Sequence, residues 1–172
     1  MANIAVFGGT FNPFHIGHYQ MLDYVCGLKF IDRVLLMPDK IPPHKTCDFL
    51  ASDADRIEMC RLVCEDFDKA ELCLIEFERE GKSYTFETIK LLKQKFQNDK
   101  FFTVIGGDML ATLDTWYKWQ ELIKETAFIV FARATSNNFE VHLNRMKNHG
   151  AEIVVIDQKI INISSTEIRN KV

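Results

Sequence analysis

The strongest constraint on the fold is a stretch near the start of the sequence, where an apolar strand meets a glycine pair and then a helix start. Residues 4–7 form the β-type run, Gly8 and Gly9 follow, and His15-Ile16-Gly17-His18 opens a helical segment. Helix N-termini carry unpaired N–H groups and a partial positive charge, and glycines let a ligand approach the backbone closely. The stretch therefore predicts a phosphate-binding loop between a strand and a helix.

Two histidines add chemistry to this loop. His15 and His18 lie three residues apart, so on a helix they would share one face, and Gly17 between them would leave room for a ligand against the backbone. Together the imidazoles could donate hydrogen bonds to one phosphate as negative charge develops on it. A glycine turn or a helical histidine alone is common in proteins without such a site, so the prediction depends on the combination.

Composition indicates one globular α/β domain. With 172 residues, 47% of them hydrophobic and 14 of them Phe, the chain can bury one sizeable core. No apolar run reaches the roughly 18 residues needed to span a bilayer. The first strand begins too early to leave room for a signal peptide, so we expect a cytoplasmic protein without a membrane partner. The net charge of -3 gives no reason to expect a nucleic-acid partner.

The five cysteines are odd in number and form no CxxC pair, which predicts neither a disulfide framework nor a zinc site. Cys60 and Cys64 lie one helical turn apart and could bind a metal. Small apolar residues of a buried helix face are the better interpretation of this pair.

Apolar runs alternate with helical patterns along the rest of the chain, which predicts a doubly wound domain with a mostly parallel sheet. Further strands are expected at residues 33–37, 71–77, 101–105, 127–132 and 152–156. Helices are expected at 16–26 (ended by Gly27), 52–67 (capped by Ser52), 86–96 (capped by Thr85), 139–148 (followed by Gly150) and from about 164. Ligands bind beyond the carboxyl ends of such strands, so the loops after strands one, two, three, four and six should converge on one cleft.

Two segments resemble the signatures of the nucleotidyltransferase superfamily. GGTFNPFHIGH, from Gly8 to His18, resembles its HxGH motif, and the segment from Ile163 to Arg169 resembles its ISSTxIR motif. The HIGH tetrapeptide also occurs in class I aminoacyl-tRNA synthetases, but an ISSTxIR segment after a sixth strand favours the transferases over a lysine-rich synthetase loop. With matching segments from Gly8 to Arg169, the chain resembles bacterial nicotinate-nucleotide adenylyltransferases.

The resemblance implies a reaction of ATP with nicotinate mononucleotide, in which His15 and His18 hold the α-phosphate. The implied ATP-binding residues are Gly8, Gly9, Thr10, Phe11, Gly106, Asp108, Ser165, Thr166 and Arg169. The implied mononucleotide-binding residues are Lys45, Tyr84, Thr85, Trp116 and Arg133. Mg²⁺ would be carried mainly by phosphates and water, so no protein metal ligand is expected.

Three of these assignments depend on the resemblance more than on the local pattern. By itself, the SYT segment before residue 86 predicts an ordinary capped helix, although its N-terminus would suit a single carboxylate. The family motif GxSYTxDT favours the binding role, with Glu87 in place of the usual aspartate. Likewise, Lys45 ends a proline-stiffened loop that could be solvated surface. Three aromatics at 116, 117 and 119 cannot all face one core, and the resemblance assigns Trp116 to stacking on the pyridine ring.

Two alternatives stay open at this point. A related transferase could act on phosphopantetheine or a sugar phosphate, although neither acceptor needs Thr85 or Trp116. A nucleotide sensor without catalysis would not require both histidines. We expect one nucleotidyltransferase domain over residues 1–172, with a C-terminus that is either truncated or lacks a packing partner, because the resembled enzymes usually continue. The sequence leaves the oligomeric state open, with a homo-oligomer as one alternative.

Overall fold

A computed structural model describes residues 1–40, 50–132 and 138–172. Its strands are β1 (Asn3–Gly9), β2 (Arg33–Pro38), β3 (Ala70–Leu72), β4 (Lys100–Gly106), β5 (Ala127–Phe131) and β6 (Ile153–Ile156). Its helices are α1 (Ile16–Gly27), α2 (Asp53–Cys64), α3 (Thr85–Lys95), α4 (Gly107–Ala111), α5 (Trp119–Glu125), α6 (Phe139–Asn148) and α7 (Ser165–Asn170). Short 3₁₀ turns occupy Ile75–Glu78 and Leu113–Thr115.

The strands form one parallel sheet in the order β3-β2-β1-β4-β5-β6. The chain starts at the centre with β1, moves outward to β3, and returns to place β4 on the other side of β1. The strand order therefore reverses between β1 and β4, which is where open α/β sheets bind ligands. The predicted doubly wound architecture is confirmed, and the described sheet is entirely parallel.

Helices cover both faces of the sheet. Ile4 and Val6 of β1 belong to one buried cluster with residues of α3, α5 and α6. Ala5 and Phe7 belong to a second cluster with residues of α1 and α2. Alternate side chains of a strand point to opposite faces, so a central strand with a core on each side must be apolar throughout. This explains why β1 reads as a continuous apolar run.

The predicted third strand is wrong over most of its length. Residues 71–77 were expected to be extended, but β3 ends at Leu72 and Ile75–Glu78 forms a 3₁₀ turn. In the described sheet, β3 lies at the edge and pairs with β2 over three residues. Beyond that pairing the chain turns at Leu74, so Ile75 enters the core and Glu76 is buried beside the cleft.

Some predicted helix ends are also wrong. Gly27 is the last residue of α1, and Leu28 caps it with extended backbone. Tyr84, not Thr85, is the N-cap of α3, and α2 stops at Cys64. The cap at Ser52 is confirmed, since its Oγ accepts a hydrogen bond from the Asp55 N–H at 3.1 Å.

The cysteine pair on α2 lies against the second core cluster. Cys60 is fully buried, and burial raises the pKa of its thiol to about 12. Burial also raises the pKa of Cys64 to about 11. Both thiols therefore stay protonated at neutral pH and pack as small apolar side chains. Among the residues that the structure describes, no helix combines the length and apolarity needed to span a membrane.

Candidate active site

A cleft of about 760 Å³ opens where the strand order reverses. The loops after β1, β2, β3, β4 and β6 all contribute to its lining, as predicted. Every site residue that the sequence implied and the structure describes lies in that lining: Gly8, Gly9, Thr10, Phe11, His15, His18, Tyr84, Thr85, Gly106, Asp108, Trp116, Ser165, Thr166 and Arg169. Lys45 and Arg133 lie outside the described residues.

The two histidines meet through helix capping, and not by sharing a helical face as predicted. His15 is the N-cap of α1 in extended backbone, and the helix begins at Ile16. Nδ1 of His15 accepts a hydrogen bond from the His18 N–H, and Nδ1 of His18 accepts one from the His15 N–H, each at 3.4 Å. The rings stack with centroids 3.6 Å apart and planes 19° apart.

This reciprocal capping determines which nitrogen of each neutral ring carries the proton. Because both Nδ1 atoms accept hydrogen bonds, the proton must lie on Nε2. Both rings line the cleft at the N-terminus of α1. The site thus holds two adjacent N–H donors where the helix dipole also favours negative charge.

Gly17 makes the histidine stack possible. A β-carbon at this position would lie 3.2 Å from Cε1 and Nδ1 of His15 and 3.1 Å from the carbonyl oxygen of Ile161. The space beside the glycine is therefore filled by the chain itself. The prediction that a ligand occupies it was wrong.

Gly17→Ala should lower kcat about tenfold to a hundredfold. The added methyl group would displace the His15 ring, and a displacement of a catalytic group by about 1 Å can lower the rate by that factor. Steady-state turnover and thermal unfolding should be measured together. Gly27→Ala is the matched control, since Gly27 lies in the last turn of the same helix and no atom of residues 1–40, 50–132 or 138–172 lies within 4 Å of a β-carbon there. Wild-type kcat in folded Gly17→Ala would contradict the displacement.

Phe11 packs its ring against the His18 ring. Its backbone is left-handed, with φ at 48°, and its side chain is 2% exposed. The ring meets the His18 ring edge to face at a centroid distance of 5.1 Å. A β-carbon on Gly9 would lie 2.9 Å from the Phe11 ring, so Gly9 must stay without a side chain. The contribution of Phe11 to the cleft therefore comes from its backbone and from holding His18.

The second signature segment packs against the first. Ser165 Oγ donates to the carbonyl oxygen of Pro13 at 2.9 Å, and Arg169 Nη1 donates to that of Asn12 at 2.5 Å. The Ser164 hydroxyl caps α7, accepting from the Glu167 N–H at 3.2 Å. Hydrogen bonds from Ser164 hold the pKa of Glu167 below its usual range. The start of α7 is thus fixed against the loop that precedes His15.

The opposite wall is formed by the loop after β4. Asp108 lies in the first turn of α4, and a β-carbon on Gly106 would come within 2.6 Å of its Oδ1. Only glycine at 106 therefore lets this carboxylate lie over the end of β4. Gly107 is enclosed by Phe139 and by the Phe131 carbonyl, which lie 3.3 to 3.4 Å from a hypothetical β-carbon.

Aromatic side chains line the far end of the cleft. Trp116 and Trp119 pack, partly buried, against the first core cluster, and Trp116 also lines the cleft. Tyr117 is the exposed member of the trio at 42%, and its ring lies 4.7 Å from that of Tyr84. The start of α3 faces the same end, through Ser83, Tyr84 and Thr85.

Sequence reasoning missed a buried polar group at this end. Glu76 is 2% exposed, accepts a hydrogen bond from the Thr88 hydroxyl, and pairs with Arg79 at 3.0 Å. No signal in the sequence predicted this burial, because a glutamate between Ile75 and Phe77 also fits the ordinary alternation of a strand with one solvated face. Asp39, after β2, also lines the cleft and was not predicted.

The described residues contain no group of three or more His, Cys, Asp or Glu side chains that could hold a metal ion.

A three-layer α/β fold with its cleft at the strand reversal, and with both signature segments in that cleft, defines a nucleotidyltransferase of the cytidylyltransferase-like class. The Cytidylyltransferase-like family model matches residues 6–171. The probable nicotinate-nucleotide adenylyltransferase of Fusobacterium nucleatum subsp. nucleatum is 39% identical over 170 residues, which cover 98% of this chain and 86% of the relative. The nicotinate-nucleotide adenylyltransferase of Bacillus subtilis is 43% identical over 129 residues, which cover 75% of this chain and 68% of the relative. The chain belongs to the nicotinate-nucleotide adenylyltransferase family.

Solved structures show the same fold. Plasmodium falciparum nicotinic acid mononucleotide adenylyltransferase complexed with NaAD matches with a TM-score of 0.82 at 22% identity, covering 99% of this chain and 83% of the other. The same enzyme complexed with APC gives a TM-score of 0.81.

Proposed function

We propose that this chain joins ATP to nicotinate mononucleotide, forming deamido-NAD and pyrophosphate in NAD biosynthesis. The observation that carries the proposal is the stacked His15 and His18 pair at a helix N-terminus, inside a cleft lined by both signature segments. Membership of the nicotinate-nucleotide adenylyltransferase family supports the choice of substrates. We assign this activity to residues 1–172 acting as one domain.

The reaction needs alignment and charge stabilisation more than covalent chemistry. The 5′-phosphate of the mononucleotide attacks the α-phosphorus of ATP, and the bond from that phosphorus to the oxygen of the leaving pyrophosphate breaks. Both reactants are anionic, so donors that hold the α-phosphate oxygens lower the barrier. We assign this role to the Nε2 protons of His15 and His18.

We assign the ATP half of the cleft to the loops after β1, β4 and β6. Backbone N–H groups at Gly8, Gly9 and Thr10 lie at the end of β1, where a polyphosphate can approach the backbone. Thr166 and Arg169 provide side-chain donors from the start of α7, and Ser165 contributes through its backbone N–H, because its hydroxyl donates to the Pro13 carbonyl. We assign the ribose hydroxyls to Gly106 and Asp108 at the end of β4, since both line the cleft.

We assign the mononucleotide half to the start of α3 and to Trp116. The N–H groups at the N-terminus of α3 suit the nicotinate carboxylate, because a single anion is stabilised by a helix N-terminus. We assign stacking on the pyridine ring to Trp116, since it lines the cleft. Lys45 and Arg133 stay assigned to the mononucleotide on the strength of the family motif.

Mg²⁺ is proposed to enter with ATP, bound by its phosphates and by water. Its charge would reduce the repulsion between the two anionic substrates. No protein ligand is assigned to it.

Trp116→Ala should raise the KM of nicotinate mononucleotide about tenfold, since stacking of a base on an aromatic ring contributes about 1–3 kcal/mol. The same factor is expected for nicotinamide mononucleotide, because both pyridine rings stack alike. Trp119→Ala is the control, since Trp119 packs on the core and on His149 and should affect stability instead. A change in KM for only one of the two mononucleotides would refute a stacking role.

Product analysis tests the proposed function. The purified chain should be incubated with ATP, Mg²⁺ and nicotinate mononucleotide, and the products identified by mass spectrometry. Deamido-NAD and pyrophosphate in equal amounts would support the proposal. ATP binding without any dinucleotide would support a nucleotide sensor instead.

A further inference from the structure

Arg56 on α2 is a buried cation that contacts two loops of the cleft. Its side chain is 0% exposed. Nη1 donates to the carbonyl oxygen of Thr10 at 3.0 Å and to that of Asp39 at 2.6 Å. Nη2 donates to Oδ1 of Asp53 at 2.5 Å. One planar group therefore joins helix α2 to the loop after β1 and to the loop after β2.

The two carbonyls belong to residues that line the cleft, whereas Arg56 itself does not. Thr10 lies in the loop assigned to the ATP phosphates, and Asp39 begins the connection that leads to Lys45. A second bond joins the same two loops, because the Asp39 N–H donates to the Gly9 carbonyl oxygen at 2.9 Å. Arg56 thus lies behind the point where the two substrate-binding loops meet.

Stability alone does not account for an arginine here. Its counterion, Asp53, is 50% exposed, and its buried Nε has no hydrogen-bond partner in the described part of the chain. Burying a charge with an incomplete set of partners costs free energy, and apolar residues often replace buried ion pairs without loss of stability. The property that an apolar residue lacks is the rigid fork of donors that fixes several oxygens at once.

We propose that Arg56 is a positioning residue for the transfer reaction. By holding the Thr10 and Asp39 carbonyls on one guanidinium, it sets the separation between the loops that bind the two substrates. This inference rests on the proposed function, since it assigns one substrate to each loop. Arg56 acts through these loops and does not touch either substrate.

The test compares Arg56→Lys and Arg56→Met with Arg61→Met. Arg61 lies on the same helix but is exposed, and it pairs with Glu58 and Glu65 on the surface. Arg56→Lys keeps the charge but loses the planar fork, so kcat should fall at least about tenfold, in line with the cost of misaligned reactants. Arg61→Met should keep wild-type kcat and KM.

Hydrogen exchange of the Asp39 amide provides a readout that does not depend on turnover. In the protein without substrates, this amide should exchange faster in both Arg56 variants than in wild type or Arg61→Met, while amides of β4 stay protected. If Arg56→Met fails to fold, Arg56→Lys alone decides the outcome.

Folded Arg56→Lys with wild-type kcat and wild-type exchange at Asp39 would overturn the inference. A lower melting temperature with unchanged kcat, measured well below that temperature, would also overturn it, since that is the signature of a purely structural arginine. If the wild-type chain forms no dinucleotide, the proposed function fails, and a positioning role for Arg56 in that reaction fails with it. The exchange at Asp39 would still report whether Arg56 holds the two loops together.

Discussion

His18→Ala should lower kcat about a hundredfold to a thousandfold, with a much smaller change in the KM for ATP. An N–H donor aimed at charge that develops only in the transition state is worth roughly 3–4 kcal/mol. His18 also accepts the His15 N–H and stacks on the His15 ring, so its removal should release His15 as well. The measurement is steady-state pyrophosphate release with ATP varied at saturating mononucleotide.

His18→Gln separates catalysis from capping. His18 occupies the third position of α1, where glutamine can also accept the N-cap N–H in a capping box. This variant should therefore keep most of the thermal stability and still lose most of the turnover. His149→Ala, at the exposed C-terminal end of α6, should behave as wild type. A change confined to KM would show that His18 binds ATP without taking part in the transition state.

Nicotinate mononucleotide should be preferred over nicotinamide mononucleotide by at least about tenfold in kcat/KM. The N–H groups at the start of α3 would meet a carboxylate in the acid but an NH₂ donor in the amide. A charge-assisted hydrogen bond contributes about 1.5–3 kcal/mol, and two donors that face each other are unfavourable. A ratio of ten to several hundred is therefore expected from initial rates at limiting mononucleotide.

Trp116→Ala provides the control for this preference. Its loss should weaken both substrates and leave their ratio unchanged, because a ring that stacks on the pyridine interacts with the face that the acid and the amide share. Equal kcat/KM for acid and amide in the wild-type protein would show that the start of α3 does not recognise the nicotinate carboxylate. If the ratio of kcat/KM for acid over amide falls to about one in Trp116→Ala, Trp116 and not the start of α3 discriminates between the two substrates.

The fold was predictable where the chain is buried on both sides. β1, β4 and β5 are central strands with a core on each face, so their apolar runs are long and their bounds were predicted closely. β3 was not, because its pairing with β2 stops at Leu72 while the alternation in the sequence continues past Cys73. β6 is also an edge strand, but its apolar run ends where its pairing with β5 ends, and its bounds were predicted closely. The β-propensity of a segment does not depend on where its partner strand ends, so it cannot predict where the pairing stops.

The site was predictable where its residues are contiguous. The two signature segments each bring several candidate groups within one loop and helix start, so local spacing and resemblance were sufficient to predict that these groups share one cleft. Arg56 and Glu76 were missed because their partners, Thr10 and Thr88, are distant in the sequence. Gly17 was misinterpreted for the same reason, since the carbonyl of Ile161 that fills its space comes from the loop before α7.

The sequence pattern also did not predict that His15 is the N-cap of α1. Ser, Thr, Asp and Asn are the residues that usually cap helices, because their short side chains reach the N–H groups of the first turn. Here an imidazole does so, and the glycine at the second helical position lets the ring lie flat against His18. The helix start was predicted correctly, but the reason that the two rings meet was visible only in the structure.

A pyrophosphate-release assay with ATP, Mg²⁺ and four acceptors tests the proposed function most directly. The acceptors are nicotinate mononucleotide, nicotinamide mononucleotide, phosphopantetheine and glycerol 3-phosphate, each supplied to the wild-type chain and to His18→Ala. We expect the fastest release with nicotinate mononucleotide, at least about tenfold slower release with its amide, background rates with the other two, and loss of release in the variant. Release with phosphopantetheine alone, or equal release in wild type and His18→Ala, would contradict this assignment.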